Sequence, residues 1–391
     1  MKILVISQLY PGYAGQPPAE VSYALHHLIR PWVNSHQVLV IRPFLVPALS
    51  GEDRGIYPGT FTLDGVRVLT RPVIKIPGTR LFCLWGLGRR LKKMGFYPQV
   101  VVAHLGYSLL FGQVLAGRFH VPLISAVHYG DLLYSGKMLG KKRLARIFRE
   151  AAGIACRSAP VQKEFLALYP DLEKRCFLAY SGIDAGLAAG EAFATDKLSA
   201  WKGVNDAKIE IISVCSLLKL KNIDINLRAL SRLPGDISWH YTIIGDGPER
   251  PGLESLAGTL GILDKVRFLG LKPREQALAE MGKAHIFLLV SAPETFGLVY
   301  LEALTKGCLV IGAVGYGIDG VIADGKNGFL CRPRDEGHLL ATLEKIICRL
   351  ERQDLERVVV NAQATLADYT EERAAQNYLD RIKEFSLGGA K

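Results

Sequence analysis

The fold of this chain is decided by the stretch Ile286-Phe287-Leu288-Leu289-Val290-Ser291-Ala292-Pro293-Glu294-Thr295-Phe296-Gly297-Leu298-Val299-Tyr300-Leu301-Glu302-Ala303-Leu304. Its first five residues form an apolar run that predicts a buried strand. Pro293 and Gly297 mark a turn, and the residues that follow have a helical pattern that we expect to begin near Thr295. A strand that passes through a short turn into a helix is the repeating unit of a parallel sheet, so this stretch predicts an α/β fold.

The same alternation of β-branched runs and helical patterns occupies both halves of the chain. In the first half it predicts strands at 3–7, 37–42, 99–103 and 123–128 and helices at 19–30 and 108–117. In the second half it predicts strands at 209–215, 239–244, 266–269, 286–290 and 309–313 and helices near 224–233 and 251–260. Two Rossmann-like βαβ domains facing a central cleft are the expected architecture, with ligands beyond the carboxyl ends of the strands.

The expected boundaries are 1–200 for the N-terminal domain and 201–369 for the C-terminal domain, with a loosely patterned connection from Ala185 to about Asp206. Residues 370–391 have a helical pattern with no strand after it, and we expect this helix to cross between the domains. A length of 391 residues with 49% hydrophobic and 22% charged residues fits two globular domains.

Cysteine usage and hydropathy indicate a cytoplasmic protein. The seven cysteines are scattered and never spaced as C-x-x-C, which argues against disulfides and zinc. The apolar run at the start of the chain is too short for a signal peptide. The longest apolar stretch, Val100 to Gly117, is interrupted by His104 and Gln113, so we expect no membrane-spanning segment.

The net charge of +11 is concentrated in the first half of the chain. Residues 1–190 hold 23 Lys and Arg against 10 Asp and Glu, a net charge of +13. Two clusters contribute most: Arg89, Arg90, Lys92 and Lys93, and Lys137, Lys141, Lys142, Arg143, Arg146 and Arg149. They suit an anionic partner such as lipid headgroups, although solvated helix faces are the alternative. The sequence has no basic stripe interleaved with aromatic residues, so we do not expect a nucleic-acid partner.

The two carboxylates of the opening stretch are spaced for an extended, hydroxyl-bearing ligand. Glu302 lies eight positions after Glu294, which in a helix is a separation of about 12 Å. The helix start would offer the free N–H groups of Phe296, Gly297 and Leu298 to a phosphate. The two carboxylates would accept from hydroxyl groups on either side of that phosphate. A nucleotide sugar has this arrangement, with a sugar at one end and a ribose at the other. The alternative is a carboxylate favoured by the helix dipole together with an exposed helical Glu.

This segment resembles the E-x7-E motif of the family-4 retaining glycosyltransferases, which share the two-domain GT-B fold. The resemblance extends over most of the second half, through Ile209–Asn222, Gly245-Asp246-Gly247-Pro248, Val266–Gly270 and Asp324–Leu330. In the first half it is weaker and rests on His128-Tyr129-Gly130-Asp131, Ser158 and Gly182-Ile183-Asp184. Within the family the chain looks most similar to enzymes of surface-polysaccharide assembly.

The resemblance implies transfer of a sugar from a nucleotide diphosphate sugar to an acceptor hydroxyl with retention at the anomeric carbon. It implies a donor site in the C-terminal domain, an acceptor site in the N-terminal domain, and no metal or other cofactor. The acceptor would be a glycan or a lipid-linked molecule. With the basic clusters, this suggests a cytoplasmic protein that contacts the inner face of the membrane.

Residue by residue, the donor side implied by the resemblance centres on Glu294 for the sugar and Glu302 for the ribose. Phe296, Gly297 and Leu298 would contact the sugar and diphosphate, and Lys221 matches a phosphate-binding lysine whose charge would stabilise the leaving group. A solvated surface lysine is the alternative. Ser216 stands where many relatives have Arg. Gly245 belongs to a turn beside the donor, where turn geometry is a better explanation than contact with a ligand.

On the acceptor side, His128 would orient the acceptor or contact the donor sugar. Tyr129 and Asp131 would bind the acceptor, and Asp131 could instead fix the tautomer of His128. A core histidine with a backbone partner is the alternative. Near the first helix the family often has a Gly-Gly pair, whereas this chain has Pro17-Pro18, so Gly15 with Gly12 would supply the close approach to phosphate. A plain flexible loop is an equal alternative.

Two other functions fit the same sequence. A nucleotide-sugar epimerase of this fold would share the donor pocket but would leave the basic first half without a role. A noncatalytic partner subunit would keep the fold and bind an activated sugar or a membrane assembly. Intact Glu294, Glu302 and Lys221 weigh against the second function, and Ser216 and the Pro17-Pro18 loop weigh for it.

Overall fold

The computed structural model describes residues 1–16, 21, 23–46, 59–75, 82–83, 86–187, 208–349 and 351–387. The chain forms two compact units, Met1–Gly182 together with Glu371–Lys391, and Ile183–Thr370. The predicted boundary at 200/201, most of the predicted connection and Pro17-Pro18 lie outside the described residues.

The first unit is built on a nine-stranded, mostly parallel sheet of order β3-β4-β2-β1-β6-β7-β8-β9, with β5 paired to β4. Its strands are β1 (Lys2–Ser7), β2 (Gln37–Val46), β3 (Gly59–Leu63), β4 (Val66–Lys75), β5 (Phe82–Cys83), β6 (Val100–His104), β7 (Leu123–Val127), β8 (Gly153–Cys156) and β9 (Cys176–Leu178). Strand β1 lies between β2 and β6, both parallel to it. The apolar residues Ile3 to Ile6 are fully buried, as expected of a central strand with covered faces.

The helices of the first unit connect these strands in the right order for βαβ units. They are α1 (Ala24–Ile29), α2 (Leu87–Lys93), α3 (Tyr107–Phe119), α4 (Gly136–Leu139), α5 (Lys141–Glu150) and α6 (Ala159–Leu168). Helix α6 begins after Ser158, whose hydroxyl accepts from the Val161 N–H at 3.4 Å as an N-cap.

A hairpin of β3 and β4 at the sheet edge was not predicted. Its turn is Asp64-Gly65, with φ of 44° and 80°. Positive φ at both residues is the backbone of a two-residue turn that suits the twist of antiparallel strands, and Asp-Gly is a strong signal for it. The hairpin extends the sheet beyond β2 and adds the antiparallel pairing of Leu63 with Val66.

The C-terminal helix α13 (Glu371–Leu387) belongs to the first unit, to which the chain returns after Thr370. Ala375, Tyr378 and Ile382 on this helix are part of the core of the first unit. Trp32 donates from its indole N–H to the Ala375 carbonyl at 2.9 Å, and Arg30 pairs with the buried Glu371 at 2.7 Å. The helix therefore completes the first unit's core.

The second unit has a six-stranded parallel sheet of order β12-β11-β10-β13-β14-β15. Its strands are β10 (Ile209–Val214), β11 (Trp239–Ile244), β12 (Val266–Gly270), β13 (Ile286–Leu288), β14 (Leu309–Ala313) and β15 (Phe329–Cys331). The helices named here are α7 (Ile223–Ser231), α8 (Arg250–Thr259), α9 (Arg274–Lys283), α10 (Leu298–Thr305), α11 (Glu336–Glu344) and α12 (Arg352–Leu366). In the described parts of both units, no helix combines the length and the apolar character needed to cross a membrane.

The parallel strand pairing within each unit and their βαβ order confirm the predicted α/β fold with two Rossmann-like domains. In both sheets the carboxyl ends of adjacent parallel strands come to one edge. That edge carries the loops after β1, β6 and β7 in the first unit, and those after β10, β11 and β13 in the second. The candidate residues lie on these loops or on the helices that follow them.

Candidate functional site

The turn that carries Glu294 differs from the expected one. Strand β13 ends at Leu288 and helix α10 begins at Leu298, so the prediction of a helix start near Thr295 is wrong by three residues. Gly297 causes the difference because its φ of 77° is left-handed and interrupts the helical backbone. A Cβ at Gly297 would also lie 2.5 Å from Cε2 of Tyr300, so the ring and the turn together require glycine.

Two expectations change with this turn. Glu294 lies before the helix, so the rise of a helix does not give its distance from Glu302. Of the three predicted amide donors, only Leu298 is a residue of the helix, while Phe296 precedes its N-cap and has a buried side chain. Any contact of Phe296 with a ligand in this arrangement would therefore involve its backbone.

Glu294 is paired with Lys221. Nζ of Lys221 lies 2.6 Å from Oε2 of Glu294, and the two side chains are 15% and 17% exposed. The Ser291 hydroxyl donates to the same carboxylate oxygen at 3.3 Å, and the N–H of Thr295 donates to Oε1 at 3.1 Å. The alternative of a solvated surface lysine is therefore wrong, because Lys221 is mostly covered and its charge faces a carboxylate.

Backbone and side-chain hydrogen bonds join the Lys221 turn to the end of β13. Asn222 has a φ of 53° and donates from Nδ2 to the Val290 carbonyl at 2.8 Å. The Ala292 N–H donates to the Leu220 carbonyl at 2.8 Å. Asn tolerates left-handed backbone better than most residues, which explains its position here. Ser216, on the same loop, is exposed.

A second loop covers Glu294. The N–H of Gly317, in the Gly315-Tyr316-Gly317-Ile318 segment after β14, donates to the Glu294 carbonyl at 3.0 Å. A Cβ at Gly317 would lie 2.8 Å from Cγ of Glu294 and 3.1 Å from the Phe296 carbonyl oxygen. This glycine therefore allows the loop to pack directly on the Glu294 side chain.

Glu302 has a partner that the sequence did not indicate. Its Oε1 accepts from Nε of Arg274 at 2.7 Å, with Glu302 16% and Arg274 45% exposed. Arg274 begins helix α9 immediately after Pro273, 28 positions before Glu302, and it belongs to no motif in the sequence. Only the packing of α9 beside α10 brings the two charges together.

The glycines predicted near the donor have different environments. A Cβ at Gly245 would lie 1.8 Å from the Cys215 carbonyl oxygen, and one at Gly247 would lie 2.4 Å from the Leu217 carbonyl oxygen. Close approach of two backbone segments is thus sufficient to explain both. Gly15 is exposed, has a φ of 76°, and has open space where a Cβ would stand.

In the first unit, His128 belongs to a line of three side chains. Its Nε2 lies 3.3 Å from Nδ1 of His104, whose Nε2 lies 3.3 Å from the hydroxyl of Tyr378 on α13. Burial, together with the charge of Arg157, lowers the pKa of His128 to about 3, and burial lowers the pKa of His104 well below its usual value. Both rings are therefore neutral at physiological pH.

Asp131 does not contact the His128 ring, so the prediction that it fixes the tautomer is wrong. Its carboxylate accepts from the backbone N–H groups of Gly106 at 2.9 Å and His128 at 3.0 Å, and from the Ser135 hydroxyl at 2.7 Å. Asp131 is 1% exposed, and burial raises its pKa to about 6. It joins the loops after β6 and β7, and it is too deeply buried here to meet acceptor hydroxyls. Tyr129 is buried as well.

Arg157 is a buried cation beside this line. It donates from Nη2 to the Ser181 hydroxyl at 2.6 Å, its guanidinium carbon lies 6.0 Å from the Tyr378 ring centroid, and its Nη1 has no hydrogen-bond partner among the described residues. Burial lowers its pKa to about 10, so it stays charged at neutral pH. Across the described ranges, no group of three or more His, Cys, Asp and Glu side chains is arranged to hold a metal ion.

Each half of the chain matches a known family model. The family described as glycosyl transferases group 1 matches residues 195–363, and glycosyltransferase family 4 matches residues 21–187. N-acetyl-alpha-D-glucosaminyl L-malate synthase of Bacillus anthracis is 30% identical over 155 residues, which are 40% of this chain and 39% of that protein. The match to this relative therefore spans well under half of its length.

Longer matches cover most of the chain. D-inositol 3-phosphate glycosyltransferase of Mycolicibacterium smegmatis is 28% identical over 316 residues, 73% of this chain and 69% of that protein. The crystal structure of HepE of Anabaena in complex with UDP-glucose aligns with a TM-score of 0.69 at 20% identity, covering 98% of this chain and all of that one. This likeness establishes the shared GT-B fold. Two consecutive glycosyltransferase family models thus match the two halves of the chain, and the chain is similar in sequence to glycosyltransferases over most of its length.

Proposed function

We propose that this chain transfers a sugar from a nucleotide diphosphate sugar to an acceptor hydroxyl, with retention of configuration at the anomeric carbon. The observation that carries the proposal is the Lys221–Glu294 pair, which places a cation and a carboxylate at the carboxyl end of a parallel sheet. Both side chains are partly exposed, so a ligand that enters there meets hydrogen-bond acceptors for sugar hydroxyls and a positive charge for phosphate.

The donor would bind with its sugar at Glu294 and its ribose at Glu302. Carboxylates accept hydrogen bonds from vicinal hydroxyls, and both side chains are held in place, by Lys221 and by Arg274. The HepE structure contains UDP-glucose, which makes a uridine donor the first to test. Lys221 would stabilise the negative charge that grows on the departing diphosphate. The backbone N–H at the start of α10 would add to this stabilisation.

Retention is explained by a reaction on one face of the sugar. The bond from the anomeric carbon to the diphosphate oxygen breaks while the acceptor oxygen bonds to the same face. The acceptor proton passes to the departing diphosphate oxygen, which leaves a nucleoside diphosphate and a neutral glycoside. Glu294 then serves as a binding group and not as a nucleophile. Its pairing with Lys221 and its bonds from Ser291 and Thr295 support that role.

A thermal-shift panel tests donor binding directly. We expect one of UDP-glucose, GDP-glucose and ADP-glucose to raise the unfolding temperature, and Glu302→Ala to reduce that rise. NMR of the isolated glycoside then reports the anomeric configuration, and an inverted product would reject the retaining mechanism. A donor that binds but is never consumed, with any glycan or lipid-linked acceptor, would favour a noncatalytic subunit. The observation that favours this second function is the exposed Ser216, which stands where many relatives have Arg.

The acceptor would be a glycan or a lipid-linked molecule of cell-surface polysaccharide or glycolipid synthesis, met at the cytoplasmic face of a membrane. Support comes from α5, which buries Leu144, Ile147 and Phe148 and exposes Lys141, Lys142 and Arg146. The segment before it exposes Leu133 and Tyr134, 40% and 64% accessible, beside Lys137. Basic side chains around exposed apolar ones are the composition of an interfacial surface.

A further inference from the structure

The line Tyr378–His104–His128 connects the C-terminal helix to the loop after β7. Tyr378 is fully buried and packs its ring against Trp32, with centroids 5.4 Å apart. Among the described residues, the contact with His104 at 3.3 Å is the one hydrogen bond that its hydroxyl makes. His104 is also fully buried, and both of its ring nitrogens have partners, one on each side.

The hydroxyl of Tyr378 sets the direction of the two hydrogen bonds. If it accepted from His104, its own O–H would be buried with no acceptor, which is costly. If it donates, that O–H is satisfied. Imidazole nitrogen is also a far stronger base than a phenol oxygen, so donation from Tyr378 to Nε2 of His104 is favoured on both grounds.

Each later proton position then follows. A neutral His104 that accepts at Nε2 carries its proton on Nδ1 and donates to Nε2 of His128. A neutral His128 that accepts at Nε2 must carry its own proton on Nδ1. Arg157 supports this state, because a buried cation nearby opposes a second proton on either ring.

We propose that Tyr378 is a positioning residue which, through His104, fixes His128 as the tautomer with its proton on Nδ1. His128 makes no other side-chain hydrogen bond among the described residues and is partly exposed, so this N–H is available to an acceptor atom such as a sugar hydroxyl or phosphate oxygen. Its use in sugar transfer rests on the proposed function. The tautomer itself does not.

The test is NMR of the full chain with ¹⁵N-labelled histidine, in which long-range couplings distinguish the two neutral tautomers. The signals of His128 are assigned by their loss in His128→Gln. We expect the wild-type protein to show both His104 and His128 protonated on Nδ1. In Tyr378→Phe, which keeps the ring against Trp32, we expect His128 to become a mixture of tautomers. Tyr241→Phe is the matched control, because Tyr241 is a buried tyrosine of the second unit whose hydroxyl bonds to Ser213.

Three outcomes overturn the proposal. The first is a wild-type His128 protonated on Nε2, which requires no variant. The second is an unchanged His128 tautomer in a folded Tyr378→Phe protein. The third, measured if that variant does not fold, is an unchanged His128 tautomer in His104→Leu, which removes the Nδ1–H donor without supplying another.

Kinetics distinguish the position of the His128 proton from the use of that proton in sugar transfer. With UDP-glucose as donor, Tyr378→Phe should lower kcat about tenfold, the effect of one lost hydrogen bond, with a change in KM below about twofold. Addition of free imidazole should not restore the rate, because the ring remains present and only its proton is misplaced. An expected tautomer shift with no transfer by the wild-type protein would contradict the proposed function and leave the positioning of His128 intact. A tautomer shift with unchanged kcat would contradict the role of that proton in transfer.

Discussion

Lys221 and Glu294, 73 positions apart in the chain, form an ion pair with 2.6 Å between Nζ and Oε2. The two residues therefore lie together as a pair of opposite charges after the end of β13. The family resemblance alone assigned Lys221 to the phosphate and Glu294 to the sugar of the donor. Removal of either residue leaves the other as an unpaired and mostly covered charge. This lowers the free energy of unfolding more than the loss of one partner of an exposed ion pair would. A bound diphosphate would compete with Glu294 for the lysine.

Replacement of Lys221 by methionine should abolish most transfer activity. Lys221→Met keeps the length of the side chain but removes the charge that stabilises the leaving diphosphate, and we expect kcat to fall about 10² to 10³-fold. Initial rates of nucleoside diphosphate release measure the effect. The matched control is Lys219→Met, an exposed lysine on the same turn, which should stay within about twofold of the wild type. Equal losses in the two variants would contradict the assigned role.

Gly297 should tolerate alanine much less well than a glycine with similar backbone and free space. Gly297→Ala combines a left-handed φ of 77° with a Cβ only 2.5 Å from the Tyr300 ring. Gly261, in the same unit, has a φ of 68° with nothing within 4 Å of the Cβ position. Gly261→Ala should cost about 1 to 2 kcal/mol from backbone strain alone, and Gly297→Ala should cost more because the ring must move.

Urea unfolding of both alanine variants measures the difference. Gly297→Ala should also lower transfer, because the turn that presents Glu294 shifts with the ring. Equal midpoints for the two variants would show that the contact with Tyr300 imposes no constraint.

The local sequence pattern predicted five of the six strands of the second sheet, and β15 was not predicted. The predicted strands 239–244 and 309–313 match β11 and β14 to the residue, because β11 is rich in aromatic and β-branched residues, β14 is apolar, and both are followed by polar or Gly-containing turns. Strand β4, which lies between β3 and β2, was missed because Arg67, Arg71 and Pro72 interrupt its apolar character. The Asp64-Gly65 turn was the signal that would have located it.

The site was predictable only as a set of residue types. Spacing identified Glu294 and Glu302, and the family resemblance identified Lys221, but pairings such as Glu302 with Arg274 depend on how helices pack in three dimensions. The same is true of His104 and Tyr378, which are 274 positions apart. The late helix start at Leu298 depended on the backbone angle of one glycine, which a helical pattern does not show. The predicted ligand contacts of these residues stay predictions.

The stability of the chain should rise with pH between about 3 and 6.5. Burial lowers the pKa of His26, His104 and His128, the last to about 3, so below 6.5 the unfolded chain binds protons that the folded chain does not. These residues therefore contribute stability that is present above pH 6.5 and lost as the pH falls. Asp131 acts in the opposite direction between about pH 4 and 6, because its folded pKa is raised to about 6. Three histidines should outweigh one carboxylate.

Urea midpoints measured from pH 4 to pH 8 test this expectation. His128→Gln should flatten the dependence below pH 6.5. A wild-type midpoint that does not change between pH 7 and pH 5 would mean that the folded chain protonates these rings as readily as the unfolded one.

Anionic vesicles should bind the chain through the surface around α5. Exchange of Lys137, Lys141, Lys142 and Arg146 for glutamine removes four exposed charges beside Leu133 and Tyr134, so retention on phosphatidylglycerol vesicles at low salt should fall by about tenfold or more. The control exchanges Lys208, Arg228, Lys272 and Arg357, four exposed charges of the second unit, for the same net change. Vesicles of phosphatidylcholine alone should not retain the wild-type protein.

Salt and the substitution of apolar residues distinguish binding by charge from binding by apolar side chains that enter the membrane interface. Because the Debye length shortens from about 10 Å at 0.1 M to about 3 Å at 1 M, high salt should release a protein that is held by charge alone. Leu133→Ser with Tyr134→Ser should weaken binding at low salt if these side chains enter the interface, and the part of the binding that survives high salt should disappear with them. Equal retention of the two four-charge variants would show that net charge, and not this surface, attracts the chain to the vesicles. No retention of the wild-type protein at low salt would reject membrane contact altogether.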